Sequence, residues 1–240
     1  MKITNKKILI TGGATGIGLG LAEQFMLDGN TVIICGRRVE ALKNAADQFP
    51  SLITKQCDLT SAPEREKLFQ WIEKEHSDLS VLVNNAGIQQ RMSVTDDDFF
   101  PKADEEITIN IEAPVHLAQM FIRLPKLTHI MNVTSGLAFA PLVSVPVYSA
   151  TKAFFHSWTL SLRHMLKSRN IEVTEIIPPA LNTDLGGKGV HNNAPPVKDF
   201  ITAIFQQLEE GRSELTSGFS EKMTEAGPEQ LRQAFVRMNG

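Results

Sequence analysis

Tyr148 and Lys152 are the residues of this chain whose types and spacing most readily do chemistry. Tyr148 is the single tyrosine among 240 residues, and Lys152 follows it four positions later. On a helix that spacing puts both side chains on one face, one turn apart. A free phenol titrates near ~10 and holds its proton too tightly for good acid–base work at neutral pH. A neighbouring ammonium favours the phenolate and lowers that value. The pair is therefore expected to act as a tuned proton donor. Read alone, the same spacing also fits an amphipathic tyrosine and a solvated lysine.

A second constellation lies near the start. Lys7-Ile8-Leu9-Ile10-Thr11 reads as a short buried strand, and Gly12-x-x-x-Gly16-x-Gly18 follows it before a helical pattern. A strand, a glycine turn and a helix N-terminus make an anion site, because backbone N–H groups and the helix dipole face a bound phosphate. Glycines permit the tight turn and the close approach of a pyrophosphate. Dinucleotide folds place an acid some ~20 residues on, at the ribose hydroxyls. Here the next strand ends Cys35-Gly36-Arg37-Arg38, with no acid at its tip. Two guanidiniums there suit a 2′-phosphate better than a ribose diol. NADP(H) is therefore expected in preference to NAD(H).

The elements that must position these groups follow in order. Strands are expected at 31–35, 52–57, 79–83, 129–134 and 171–177, with a further one over 213–219. Helices are expected at 19–27, 39–49, 62–76, 101–122, 147–167 and 197–209, the fifth-strand approach being bent near Pro114. Alternating strands and helices with short connections predict a parallel sheet with helices on both faces. The whole of 1–240 reads as a single Rossmann-type, doubly wound domain, with a mobile lid over 181–196 and a polar tail over 220–240.

Composition excludes several classes. Net charge is −3, with no basic stretch suited to nucleic acid. No apolar run approaches the ~20 residues of a membrane span, and the N-terminal Ile8-Leu9-Ile10 run is too short for a signal peptide. A cytoplasmic location is expected. Cys35 and Cys57 have no zinc or redox spacing and are expected as reduced, packed thiols. The histidines form no metal pair, so no metal is expected.

Taken together, the motifs resemble the short-chain dehydrogenase/reductase family. They are Thr11-Gly12-x-x-x-Gly16-x-Gly18, Asp58-Leu59, Asn84-Asn85-Ala86-Gly87, Asn110, and Ser135 with Tyr148-x-x-x-Lys152, in family order and spacing. Pro178 to Thr183 adds a partial match. Within the family the chain resembles the subgroup around DltE. The resemblance implies that Gly12, Gly16, Ile17 and Gly18 hold the pyrophosphate side and that Asp58 bonds adenine, with Leu59 beside it. It implies that Asn84, Ala86 and Gly87 line the adenosine ribose and support the central strand. Asn110 would position a relay water, Ser135 would bond the substrate oxygen, and Tyr148 would move the proton. Lys152 would bond the nicotinamide ribose and lower the phenol's pKa. Thr183 and the Pro178 backbone would meet the carboxamide.

The resemblance also implies a homodimer or homotetramer, formed by the 101–122 and 147–167 helices, with Phe121, Phe154, Trp158 and Leu162 on the second apolar face. The chain departs from the family at Pro179, where glycine is usual, and in the short connection around Pro125. The uncharged stretch Gly136 to Pro146 predicts a neutral, apolar small-molecule ketone, aldehyde or alcohol as partner, with Arg91, Lys188 and His191 as counter-evidence. Carbonyl reduction is the leading expectation. A dinucleotide-binding redox regulator is the main alternative, and an epimerase or dehydratase a further one.

Overall fold

The structure, a computed structural model, describes residues 2–240. Strands β1 (Lys7–Thr11), β2 (Thr31–Gly36), β3 (Ile53–Gln56), β4 (Leu79–Asn84), β5 (His129–Val133), β6 (Glu172–Ile177) and β7 (Glu214–Thr216) form one sheet. Its order is β3-β2-β1-β4-β5-β6-β7, and every neighbouring pair is parallel. The chain winds outward from β1 to β3, then crosses back to β4 on the other side of β1. The crevice at that reversal, outside the carboxyl ends of the strands, is where open α/β sheets take ligands.

Helices α1 (Gly16–Leu27), α2 (Val39–Gln48), α3 (Ala62–Glu75), α4 (Phe99–Ile107), α5 (Ala113–Phe121), α6 (Pro146–Leu166) and α7 (Val197–Glu209) cover the two faces. Side chains of a strand alternate between faces. Ile8, Ile10 and Ile34 therefore pack with Leu21, Phe25, Phe200 and Ile204 on one face. Leu9 and Ile33 pack with Leu68, Ile72, Leu117, Phe121 and Leu162 on the other. Because both faces are covered, β4 and β5 are buried along their whole length.

The sequence-based boundaries differ in instructive ways. The bend expected near Pro114 is a π-turn over Thr108–Glu112, between α4 and α5. Pro114 has no N–H for the carbonyl of Asn110, four residues back, so the α-helical ladder must reorganise there. The last strand is shorter than the 213–219 expected, because Gly218 takes a left-handed φ of 59° and turns the chain into α8 (Gly218–Thr224). The tail is not merely polar. Met223 and, on α9 (Pro228–Asn239), Ala234 pack around Ala140, and Asn239 accepts from Val143 N and donates to the Pro141 carbonyl.

The apolar face expected on the 101–122 and 147–167 helices is also corrected. Phe121 and Leu162 are buried in the chain's own core, and Trp158 packs against it. Phe154 alone of that group is exposed, and the other exposed large apolar residues of these helices are Leu160 and Met165 on α6 and Phe100 and Ile107 on α4.

Candidate active site

The glycine turn is locked to the end of β4. The Thr11 hydroxyl donates to the Val83 carbonyl at 3.3 Å and accepts from Asn85 N and Ala86 N, each at 3.0 Å. The Asn85 amide donates to the carbonyls of Thr11 and Gly12. Gly12 and Gly16 have φ of 63° and 56°, a region costly for other residues. A Cβ on Gly18 would stand 2.4 Å from the Gly12 carbonyl and 2.5 Å from Asn85 Nδ2. Ile17, next to it, is partly buried against the core. Thr15 caps α1 without a side-chain bond, and no acid lies in the first turn. The first amides of α1 therefore face outward with no side-chain acceptor from the cap, a cradle that fits a pyrophosphate.

The remaining expected cofactor residues surround this cradle. Arg38 caps α2 and donates to Thr15 Oγ1 at 3.1 Å, while Arg37, also exposed, lies 3.6 Å from Glu105. Arg38 thus sits at the rim of the glycine turn, while Arg37 reaches Glu105 on α4. Asp58 Oδ1 accepts from Thr60 N and Oγ1. Leu59 is buried in the core and its carbonyl accepts from Arg65. Thr183 comes against the turn, its Cγ2 3.2 Å from where a Gly16 Cβ would be. The Pro178 carbonyl accepts from Gly136 N. Asn84 takes up the strand-supporting part of its expected role. Its side chain turns into the sheet, donating to Asn132 at 2.9 Å, and Asn132 in turn donates to Thr159 on α6. The side chain therefore supports the strand, and any ribose contact is left to its backbone.

Ser135, Tyr148, Lys152 and Asn110 converge at the carboxyl edge of the sheet, all nearly inaccessible to solvent. Ser135 leaves β5 in extended backbone, and its Oγ accepts from Leu137 N. Tyr148 sits in the first turn of α6, with the Ser135 side chain close enough to favour its ionised form. Lys152 donates to the Val133 carbonyl at 2.8 Å, with its Nζ 5.6 Å from the Tyr148 ring centre. Gly87 lies between Asn110 and Lys152, where a Cβ would be 3.3 Å from Asn110 Oδ1 and 3.5 Å from Lys152 Nζ.

The electrostatics depart from the simple expectation. Burial pushes the Tyr148 phenol up to about 12, the Ser135 hydrogen bond opposes that, and the charge of Glu106 adds to it. Burial lowers Lys152 to about 8. Desolvation is thus the largest influence on the phenol, with Lys152 bonded to the Val133 carbonyl. The Asn110 side chain accepts from Ile88 N and donates to the Ile88 carbonyl and Thr151 Oγ1. Its main-chain carbonyl has no α-helical donor at Pro114.

Some supporting residues escaped the sequence reading. Glu175, wholly buried on β6, accepts from Thr134 Oγ1 at 2.7 Å and meets His156 Nδ1 at 3.0 Å. That bond raises the His156 pKa, and Phe139 packs on the imidazole at 4.7 Å. The network braces the backbone that carries Ser135. A carboxylate inside the run Val173 to Ile177 was the available signal. Among the described residues, no group of His, Cys, Asp or Glu could hold a metal ion, and no helix is long and apolar enough to cross a membrane.

The family model for short chain dehydrogenases matches residues 6–194. With this site and this sheet, the chain belongs to the short-chain dehydrogenase/reductase family and is an oxidoreductase. It is 41% identical over 250 residues to the uncharacterized oxidoreductase DltE of Bacillus subtilis (strain 168), covering 100% of this chain and 98% of that one. Its fold resembles a short chain dehydrogenase from Burkholderia cenocepacia J2315 solved in complex with NADP, with a TM-score of 0.85, 23% identity and 99% of each chain covered. It also resembles a family member from Burkholderia phymatum solved with NAD, with a TM-score of 0.82, 16% identity, and 100% and 97% covered.

Proposed function

We propose that the chain is an NADP(H)-dependent reductase of a neutral, mid-sized ketone or aldehyde, with Tyr148 as its acid–base group. The observation that carries this reading is that Tyr148 and Ser135 act on one another, both buried at the carboxyl edge of the sheet beside Lys152. A nicotinamide cofactor, its pyrophosphate held by the glycine turn, would supply the hydride. The chain's residues supply the rest. Ser135 holds the carbonyl oxygen, and Tyr148 gives it the proton that the developing alkoxide requires. A phenol held above neutrality keeps its proton until that moment, which suits the direction of reduction. Lys152, which gives one N–H to the Val133 carbonyl, has two more with which to bond a nicotinamide ribose. Asn110 fixes the segment after β4 that forms one wall.

The preference for a 2′-phosphate rests on Arg38 at the rim of the turn and its neighbour Arg37, with no acid in the sequence at the tip of β2, although Arg37 lies 3.6 Å from Glu105 of α4. The apolar substrate rests on Gly136 to Pro146, which carries no charge, together with partly buried Leu185. Arg91 and Lys188 are exposed, away from any buried anion site. The chain acts as one domain, with 181–196 as its lid. A homo-oligomer formed through Phe154, Leu160 and Met165 is part of the same reading.

The test is consumption of NADPH on a panel of carbonyls, including ketone pairs that differ only in a terminal carboxylate. Turnover of the neutral member, lost in Tyr148→Phe, is expected. A higher kcat/KM for the acid, abolished by Lys188→Ala, would refute the apolar pocket. Tight cofactor binding without turnover of any carbonyl would favour a redox-sensing regulator.

A further inference from the structure

Three side chains of α6, Tyr148, Lys152 and His156, recur at intervals of four and so lie on one face, a turn apart. The first acts on Ser135, and the second donates to the Val133 carbonyl at 2.8 Å. His156 continues the stripe one turn further. Its Nδ1 lies 3.0 Å from each carboxylate oxygen of Glu175 on β6. Glu175 is wholly buried and also accepts from Thr134 Oγ1 at 2.7 Å. Asn132 donates to Thr159 of α6 at 3.0 Å. The three residues before Ser135 are therefore each tied to α6, directly or through Glu175. The turn after Ser135 is held from the same place, because Phe139 packs on the His156 ring at 4.7 Å. One His–Glu pair thus grips the chain on both sides of the serine. Apolar residues of similar volume often match or exceed the stability of a buried ionic pair, so stability alone does not account for this one.

We propose that His156 is a positioning residue of the reaction: through Glu175 it holds the end of β5 in register with α6, and so sets Ser135 against Tyr148. This rests on the reading of Ser135 and Tyr148 as the groups that hold and protonate the carbonyl oxygen. The two come from different elements, the serine from the end of β5 and the tyrosine from the first turn of α6. The segment between them, 136–145, is one 3-10 turn followed by bends and coil. Their separation therefore depends on how α6 docks on the strands. The tolerance is small, since a misplacement of ~1 Å can cost ~10²-fold in rate. No neighbouring cation stands ready to replace the imidazole. Arg163, two turns further along α6, is taken up by the Val173 and Ser213 carbonyls and by Glu214. Loss of His156 would leave the buried Glu175 carboxylate with the Thr134 hydroxyl and free both to shift.

The single tyrosine reports on this without a substrate. In the full chain labelled with carbon-13 at tyrosine Cζ, one resonance is expected. Ser135→Ala should move it, by removing the hydroxyl beside the phenol. His156→Leu should move it too, by displacing that hydroxyl. In the double variant the resonance should stay where Ser135→Ala alone puts it, because the serine through which His156 acts is gone. His156→Asn, whose amide can donate to Glu175 from the place of Nδ1, should bring the resonance back toward its native position. Three results overturn the proposal: no shift in His156→Leu, a shift equally large with and without the Ser135 hydroxyl, or no recovery in His156→Asn. Should His156→Leu not fold, Thr134→Val removes the hydroxyl bond to Glu175, and the same comparison with Ser135→Ala decides. Turnover retained in Tyr148→Phe would instead sink the catalytic reading and leave this comparison untouched.

Discussion

Asn110 and Ile88 are joined by a matched pair of hydrogen bonds, Ile88 N to Asn110 Oδ1 and Asn110 Nδ2 to the Ile88 carbonyl, each 2.9 Å. The side chain imitates a strand neighbour for a segment that has left the sheet. It does so from a π-turn, where the helix is already perturbed by Pro114. Asn110→Ala would strand the backbone N–H and carbonyl of Ile88 together. A loss of about 2–4 kcal/mol in unfolding free energy is expected, measured by urea denaturation. A loss under about 1 kcal/mol would show that water replaces the clamp freely.

Cofactor choice is predicted to depend on the rim arginines. A charge-assisted bond to phosphate contributes ~1.5–3 kcal/mol, so NADPH should bind at least about tenfold more tightly than NADH. Arg37→Asp should erase or reverse the difference, as read by nucleotide fluorescence titration. Equal affinities in the unaltered protein would end this reading of the end of β2.

Tyr148→Phe removes the only phenol in the chain. Turnover is expected to fall by ~10²–10⁴-fold or more, with NADPH affinity nearly unchanged. Lys152→Met should lower both. Activity surviving in the phenylalanine variant would require a different proton donor.

Stability in acid should carry the mark of His129. This imidazole is buried on β5, and burial lowers its pKa to about 4 from 6.5. The unfolded chain then takes up a proton below 6.5 that the folded chain refuses until about 4. Stability from this group is complete above 6.5 and is lost as pH falls to about 4. Over that window the cost is about 3 kcal/mol. His129→Gln should gain that amount relative to the wild type between neutral and acid pH, in paired urea melts. A constant difference between the two proteins would contradict it.

The fold was legible because its signals are local. The buried runs Ile8 to Ile10 and Val81 to Val83 speak for strands covered on both faces, and the glycines of the first turn follow one of them directly. The convergence of Ser135, Tyr148 and Lys152 was legible from their places after one strand and at the start of the next helix. What failed were properties that depend on neighbours distant in sequence. Nothing local says that Asn84 will find Asn132, or that Phe121 and Leu162 share one core. Nor can spacing weigh desolvation against an ammonium at Tyr148. Glu106 was hidden for a related reason, lying in the acidic stretch Asp104-Glu105-Glu106, where its neighbours are partly or fully exposed and it alone is buried. Gly218 was passed over as part of a strand because its left-handed backbone has no signature beyond being glycine.

Cys35 and Cys57 are both buried, without a disulfide, and burial drives the first far above the usual thiol range and the second to about 12. The native fold therefore offers no nucleophilic sulfur at neutral pH. A cysteine introduced at exposed Lys188 would be the sole thiolate open to a maleimide dye. Fluorophore placement in the 181–196 segment then needs no prior removal of native residues. Any slower second labelling phase would count molecules passing through a globally opened state.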